Sequence, residues 1–345
     1  MKKTEKKCLV WDLDDTLWQG TLLEGDGVVL TGGASQIIQD LDDRGILQSI
    51  ASKNDYDAAW AKLEEFGIAE YFICPQIGWT NKSDSIRTIA EKLGIGLDTF
   101  VFIDDQPFER DEVRYSLPEV TTVDAADIGL LLEMDGFRQC VATNESRSRR
   151  RMYQSDLRRK LIEDEFLGTK EEFLATLGTS MTIRRAGESD LRRAEELTIR
   201  TNQLNTTGRT YSYEELESLL GSHDHLLLVA ELEDRYGSSG TIGLALIERG
   251  SGRWLVKLFL TSCRVITRGA GGILMSHILQ AAKKSGVRLC ADFVPNDRNR
   301  MMYVLYKFHG FFEVAEQSGS ILLEHDLEKI PAFPSHVSVR SPGDD

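Results

Sequence analysis

The stretch CLVWDLDDTLWQG, residues 8–20, decides how the chain is read. Its first four residues, Cys8–Trp11, form an unbroken apolar run, the pattern of a short buried strand. Two carboxylates follow at once, Asp12 and Asp14. A carboxylate just past a strand can attack phosphorus and form an aspartyl phosphate. A second one, two residues on, can protonate the leaving oxygen and then activate water. Two anions beside a phosphate repel it, so the pattern calls for a hard cation with oxygen ligands. Mg²⁺ is the natural choice.

Outward from this stretch, strands and helices alternate. Residues 34–44 read as a helix stopped by Gly45, and residues 46–52 as a strand. Helical patterns at 55–66 and 83–93 end at Gly67 and Gly94, and residues 99–104 form a third strand. Such alternation predicts a parallel sheet covered on both faces, with ligands at the carboxyl ends of its strands. Asp12, Ser52 and Asp104 fall at those ends. Ser52, with its neighbours Lys53 and Asn54, is placed to contact phosphoryl oxygens. Lys82, in WTNKSDS, offsets the charge of nucleophile and phosphate. Asp104 and Asp105, in FVFIDD, join Asp12 and Asp14 as candidate metal ligands. Each of these residues alone reads equally well as a solvated loop group. Their order, each after a strand or at a helix start, favours a site.

The chain has 345 residues, which favours two domains at roughly 100–200 residues each. Hydrophobic residues make up 41% and charged ones 28%, so there is material for two cores. A net charge of −14 disfavours nucleic acid as a partner, because its phosphates must be neutralised by cations. The five cysteines are widely spaced with no CxxC, which fits a reducing compartment and disfavours a cysteine zinc site. No apolar run approaches the ~18 residues of a membrane span, and MKKTEKK is not followed by a signal-peptide core. The expectation is a cytoplasmic protein without a membrane partner.

The character changes after about residue 133. Residues 145–175 are rich in Arg, Lys and Glu, and 134–178 reads as a helical linker. A second unit is expected over 179–328, with strands at 225–232, 240–248, 254–263 and 288–294. The tail, 329–345, holds three of the seven prolines and reads as a loose end. The segment LFLTSCRVITRGAGGILMSHIL sets a strand, a turn at Arg268 and Gly269, and a helix in succession. A helix N-terminus of this kind suits phosphate or pyrophosphate. Cys263 sits at the expected strand end, flanked by Ser262 and Arg264, in surroundings that lower a thiol pKa. The other reading, a small buried hydrophobe, suits Cys8 and Cys290 better. TNQLNTTGRTYS, 201–212, offers Asn202, Gln203, Asn205 and Arg209 to a polar acyl group or an oxyanion, or else caps a helix. His309 reads first as a packing or capping residue and second as a base for Cys263.

The segments VWDLDDTLWQGTLLEG, SIASKND, WTNKSDSI and FVFIDDQPFERDEV together resemble the haloacid dehalogenase (HAD) superfamily, more narrowly its FkbH-like branch. The glycine turn and the stretch PNDRNRMMYVLYKFHGFF, with Asn299, Tyr306, Gly310 and Phe311, resemble the GNAT acyltransferase fold. The resemblance implies an α/β protein: an N-terminal HAD-like Rossmannoid parallel sheet, 1–133, plus a C-terminal GNAT-like mixed α/β domain. It implies Asp12 as nucleophile, Asp14 as acid/base, Ser52 and Lys82 as phosphate contacts, and Asp104 with Asp105 at Mg²⁺. The TSCRV and TNQLN segments resemble those of the same branch, which implies an acyl group carried on Cys263. The activity so implied is a bifunctional glyceryl transferase/phosphatase. Its donor is 1,3-bisphosphoglycerate, and its acceptor is the phosphopantetheine thiol of an acyl carrier protein in polyketide-type biosynthesis. The cationic run 146–160 then serves carrier docking, or is an exposed helix balanced by Glu163, Asp164 and Glu165. Two other classes stay open: a phosphatase fused to a coenzyme A-dependent N-acetyltransferase, and a non-catalytic scaffold.

Overall fold

The computed structural model describes residues 5–25, 27–137 and 143–341; Cys140 lies outside them. The chain divides into two compact units, Met1–Arg158 and Arg159–Asp345.

In the first unit the elements run β1 Cys8–Trp11, β2 Trp18–Gln19, β3 Val29–Leu30, α1 Ala34–Asp43, β4 Leu47–Ser52, α2 Tyr56–Glu65, β5 Gln76–Ile77, α3 Lys82–Leu93, β6 Phe100–Asp104, α4 Pro107–Ser116 and β7 Thr121–Asp124. Strands β5-β4-β1-β6-β7 form one sheet with every pairing parallel. The unbroken apolar run of β1 follows from its central place. Leu9 and Trp11 pack into a core with Ile37, Ile38 and Leu41 of α1 and Leu63 of α2. Cys8 and Val10 face the opposite core, with Ile86 and Ile89 of α3 and Val113 of α4. A strand covered on both faces favours apolar side chains at every position. Register places Trp11 between Ile50 and Ile103, so the ends of β4, β1 and β6 lie side by side.

Helix α5, Asn144–Glu165, crosses the division between the units. Its basic run is partly internal. Arg149 donates to the Gly45 carbonyl, and Arg150 pairs with Asp42 at 2.9 Å. Both arginines are buried, which removes them from an exposed docking strip and explains why the first unit extends past residue 133.

The second unit continues with α6 Lys170–Thr176, β8 Thr179–Arg185, α7 Leu191–Arg200, α8 Tyr213–Leu220, β9 His225–Asp234, β10 Gly237–Arg249, β11 Arg253–Thr261, α9 Ala270–Lys284, β12 Arg288–Phe293, α10 Arg300–Phe308, β13 Phe312–Gln317, β14 Ser320–His325 and β15 Val337–Arg340. Its sheet is mixed, in the order β13-β14-β12-β11-β10-β9-β8-β15. Strands β8 to β11 form an antiparallel meander, and α9 carries the chain across to β12, parallel to β11.

Two expectations are corrected here. The tail is not loose throughout: Val337–Arg340 adds a parallel strand beside β8, with Val337 in the core. Strand β11 ends at Thr261, because Ser262 turns in to donate its N–H to the Ile242 carbonyl; Cys263 therefore opens the 3-10 turn Cys263–Arg268. Pairing of β11 with β12 also stops early, at Val256 opposite Ala291. Residues 204–206 fill the gap beyond: Thr206 N–H donates to the Phe259 carbonyl, Thr261 N–H to that of Leu204, and Val294 N–H to that of Thr206.

Candidate active site: a carboxylate–lysine cluster at the strand ends

Asp12 continues the line of β1, its N–H donating to the Ile103 carbonyl at 3.0 Å. That bond holds a charged residue 5% exposed at the edge of two apolar cores. Lys82 opens α3 and is 3% exposed. Its ammonium donates to Asp12 Oδ1 and to the Ala51 carbonyl at 2.9 Å, and lies 3.1 Å from Asp104 Oδ2. Two of its protons thus go to hydrogen bonds, and Asp104 adds a charge contact. Asp104, at the end of β6, accepts the Gln106 N–H at 2.8 Å on Oδ1. Asp105 is oriented by Thr16, whose hydroxyl accepts the Asp105 N–H at 3.0 Å. Ser52 ends β4, buried beside this group.

Oxygens of Asp12, Asp104 and Asp105 lie within 4.8 Å of one another. The ion pair from Lys82 to Asp104 lacks hydrogen-bond geometry, so Asp104 Oδ2 is buried with no hydrogen-bond partner. The Lys82 ammonium meets this oxygen through charge alone, which leaves its lone pairs open to a further cation. Three carboxylates and one ammonium leave excess negative charge, and hard oxygen donors fit Mg²⁺ or a similar divalent ion. The carboxylate of Asp14 stands outside this group, which corrects its expected place among the ligands. Its oxygens accept from Trp18 Nε1 at 2.7 Å, Leu22 N–H at 3.1 Å and Asn54 Nδ2 at 3.0 Å. Asn54 thus serves Asp14 instead of an open phosphate position. Lys53 is likewise engaged, by Glu109 at 2.6 Å. The sequence reading does not single out Thr16, Trp18 or Glu109. The recurrence of polar or aromatic residues four and six positions after Asp12 is the only local signal for the first two.

Burial pushes the Asp12 carboxyl up to about 6, with Lys82 opposing and Asp104 adding to the rise. Burial also raises Asp104 and Asp105. For Lys82 burial acts downward, but Asp12 and Asp104 outweigh it, so the ammonium is held charged. Protons and a divalent cation therefore compete for the same oxygens. Divalent affinity is expected to fall as pH drops below about 6, where Asp12 takes up its proton. Titration calorimetry in two buffers of different ionisation heat checks this: the observed heats differ if protons are released on binding, and coincide if none are.

In the second unit, Cys263 is exposed at the start of its 3-10 turn. The turn closes on Gly269, whose φ of 69° favours glycine, and α9 begins there. The first N–H groups of α9 have no partners within the helix, which suits an anion or a carbonyl oxygen. His309 is buried; its Nδ1 contacts the Leu305 carbonyl at 2.9 Å, and a Cβ placed on Gly272 of α9 would meet its Nε2 at 3.4 Å. In a neutral ring, donation from Nδ1 leaves Nε2 as an acceptor on the side of Gly272.

Several expected ligand contacts here are structural instead. Arg268 is buried and bonds Asp234 at 3.1 Å and the Ser239 hydroxyl at 2.8 Å. Asp234 also accepts from Arg159 at 3.0 Å. Arg264 donates to the Ser239 carbonyl. Asn205 and Asn299 are both 0% exposed. Asn205 closes its own turn, accepting from the N–H groups of Thr207 and Gly208, while Asn299 donates to the carbonyls of Asn205 and Val294. Together they fasten residues 204–206 into the strand gap. Arg209 lies over Tyr211 and pairs with Glu215 at 3.2 Å. Asn202 and Gln203 remain exposed beside the 204–206 segment.

No family model matches the chain, and no curated protein matches it. Among solved structures it is similar to the N-terminal part of the protein BF1531 from Bacteroides fragilis, described as containing a phosphatase domain complexed with Mg. Identity there is 34%, over 37% of this chain and 39% of that one, with a TM-score of 0.33. This chain thus spans about two fifths of that chain's length. It is also similar to the ribosomal-protein-S18-alanine N-acetyltransferase of Escherichia coli, at 16% identity over 44% of this chain and 97% of that one, with a TM-score of 0.35. A PaiA N-acetyltransferase from Thermoplasma acidophilum in complex with coenzyme A matches at 17% identity over 42% and 98%, with a TM-score of 0.32. Among the described residues no helix is long and apolar enough to cross a membrane.

Proposed function

We propose that the chain is a two-site enzyme, a metal-dependent phosphatase of the HAD type joined to an acyltransferase of the GNAT type, acting as a glyceryl transferase/phosphatase. The observation that carries this is the buried cluster of Asp12, Lys82, Asp104 and Asp105 at three adjacent strand ends. Asp12 attacks the phosphate ester, the bond from phosphorus to the leaving oxygen breaks, and Asp14 supplies the proton to that oxygen. Asp14 then takes a proton from water, which attacks phosphorus and returns the electron pair to Asp12. Lys82 holds Asp12 and balances the phosphate, and Ser52 donates to a phosphoryl oxygen. Asp12, Asp104 and Asp105 would hold Mg²⁺, which when bound supplies charge neutralisation to the phosphoryl oxygens.

In the second unit, the Cys263 thiolate attacks the acyl carbon of 1,3-bisphosphoglycerate and displaces the C1 phosphate; the C3 phosphate ester is hydrolysed by the Asp12 chemistry, and the two steps together leave a glyceryl thioester. The phosphopantetheine thiol of an acyl carrier protein then takes the group for polyketide-type biosynthesis. Exchange between two thioesters is close to isoenergetic and needs no further donor. The exposure of Cys263 and the following helix start support this role. Intact-protein mass spectrometry after incubation with 1,3-bisphosphoglycerate and Mg²⁺ tests it. A glyceryl adduct on the wild type, absent from Cys263→Ala, is expected. An unmodified wild type with the donor shown intact would remove the covalent step, as would acetyl transfer from acetyl-coenzyme A without any adduct.

A further inference from the structure

One closely held carboxylate of the first unit lies outside the metal group. Asp14 is met by three donors from two separate parts of the chain. Trp18 Nε1 and Leu22 N–H both reach Oδ1, and Asn54 Nδ2 reaches Oδ2. Trp18 belongs to the β2–β3 hairpin and is fully buried, packed against Phe66 at 6.2 Å between ring centroids. Asn54 is 1% exposed, and its own oxygen accepts the Asp55 N–H at 3.0 Å, so its amide cannot turn round. Both donors are therefore fixed by the fold before any substrate arrives.

A carboxylate offers about four lone-pair positions. Trp18 and Leu22 occupy both positions on Oδ1, and Asn54 occupies one on Oδ2. Among the described residues one position remains, on Oδ2. We infer that Trp18 and Asn54 are positioning residues that direct the transferable proton of Asp14 to the free side of Oδ2. The inference rests on the phosphatase reading above and adds which oxygen works and what aims it. In the first step that Oδ2 proton passes to the leaving oxygen as the phosphorus–oxygen bond breaks. In the second, Oδ2 receives a proton from the attacking water. The hairpin and the 53–55 turn thus act on the chemistry through Asp14 without touching substrate.

The leaving group separates this role from a structural one. An alkoxide is a poor leaving group and needs the proton as it departs; nitrophenolate does not. For Trp18→Phe and Asn54→Ala, kcat/KM for an alkyl ester such as 3-phosphoglycerate is expected to fall at least about tenfold. For p-nitrophenyl phosphate it should fall less than about threefold, because only the first step governs kcat/KM. Equal falls for both esters, or no fall for either, would overturn the inference. Asn54 belongs to none of the apolar cores, so Asn54→Ala keeps the test open if Trp18→Phe does not fold. A wild type that releases phosphate from neither ester sinks the phosphatase reading and the inference together. An active wild type whose variants show no leaving-group split sinks the inference alone.

Discussion

Replacing Asp12 by Asn is expected to abolish phosphate release, by about a thousandfold or more in kcat, with little change in fold. The amide keeps the shape of the carboxylate but is no nucleophile. It also offers one fewer anionic ligand to a divalent cation and leaves Lys82 with less opposing charge. Lys82 retains Asp104 at 3.1 Å and the Ala51 carbonyl, so the local packing survives. Steady-state release of inorganic phosphate, with circular dichroism as the fold check, reads the result. Turnover near the wild-type level would mean that phosphorus is attacked by some other group.

Lys82→Met has the second large effect, and it falls on stability as well as on rate. The substitution keeps an unbranched side chain in a site 3% exposed but removes the cation from two buried carboxylates. Breaking a buried pair from one side costs about 3–5 kcal/mol, because the other charge stays buried. In the absence of divalent ions the unfolding temperature of the first unit should fall by something on the order of 10 °C. The loss should shrink on acidification, since protonated Asp12 and Asp104 no longer repel. The sign follows from burial, which holds both carboxyls above their unfolded values, so the folded state binds more protons than the unfolded one. Added Mg²⁺ should restore part of the stability by binding the folded state alone. Thermal unfolding at two pH values, with and without Mg²⁺, checks all three statements. A variant as stable as the wild type under every condition would show that Lys82 does not neutralise the cluster.

Much of the first unit is legible in the sequence because its physics is local. CLVW is apolar throughout because β1 is covered on both faces, and Asp12 interrupts it where the sheet ends. Lys82 and Asp104 fall at a helix start and a strand end, and the parallel order of β4, β1 and β6 alone brings them to Asp12. The Asp14 partners are not legible. Trp18 and Asn54 are 36 positions apart, and whether an indole or an amide finds a carboxylate depends on how the hairpin closes.

The second unit shows the same limit more strongly. Asn299 bonds the Asn205 carbonyl from 94 positions away. Polar residues at loop positions look like ligand contacts until their donors are seen to meet the backbone. Arg268 looks like an anion contact beside a glycine turn, yet Asp234 and Ser239 take its guanidinium inside the unit. VSVR near the end is too short to read as a strand without its partner, and β8 lies far back in the chain. What the sequence does mark there is the transition itself, apolar strand to glycine turn to helix, which places Cys263 at the surface before α9.

The claim that the Asp12 cluster transfers phosphoryl groups through a covalent intermediate is tested most directly by trapping that intermediate. Wild-type protein is mixed with p-nitrophenyl phosphate and Mg²⁺, quenched in acid during turnover, and mapped by peptide mass spectrometry. The expected result is a hydroxylamine-labile phosphoryl group on Asp12, absent from Asp12→Asn. Steady phosphate release with no phosphoryl group on that peptide, or with one fixed on a different residue, would contradict it.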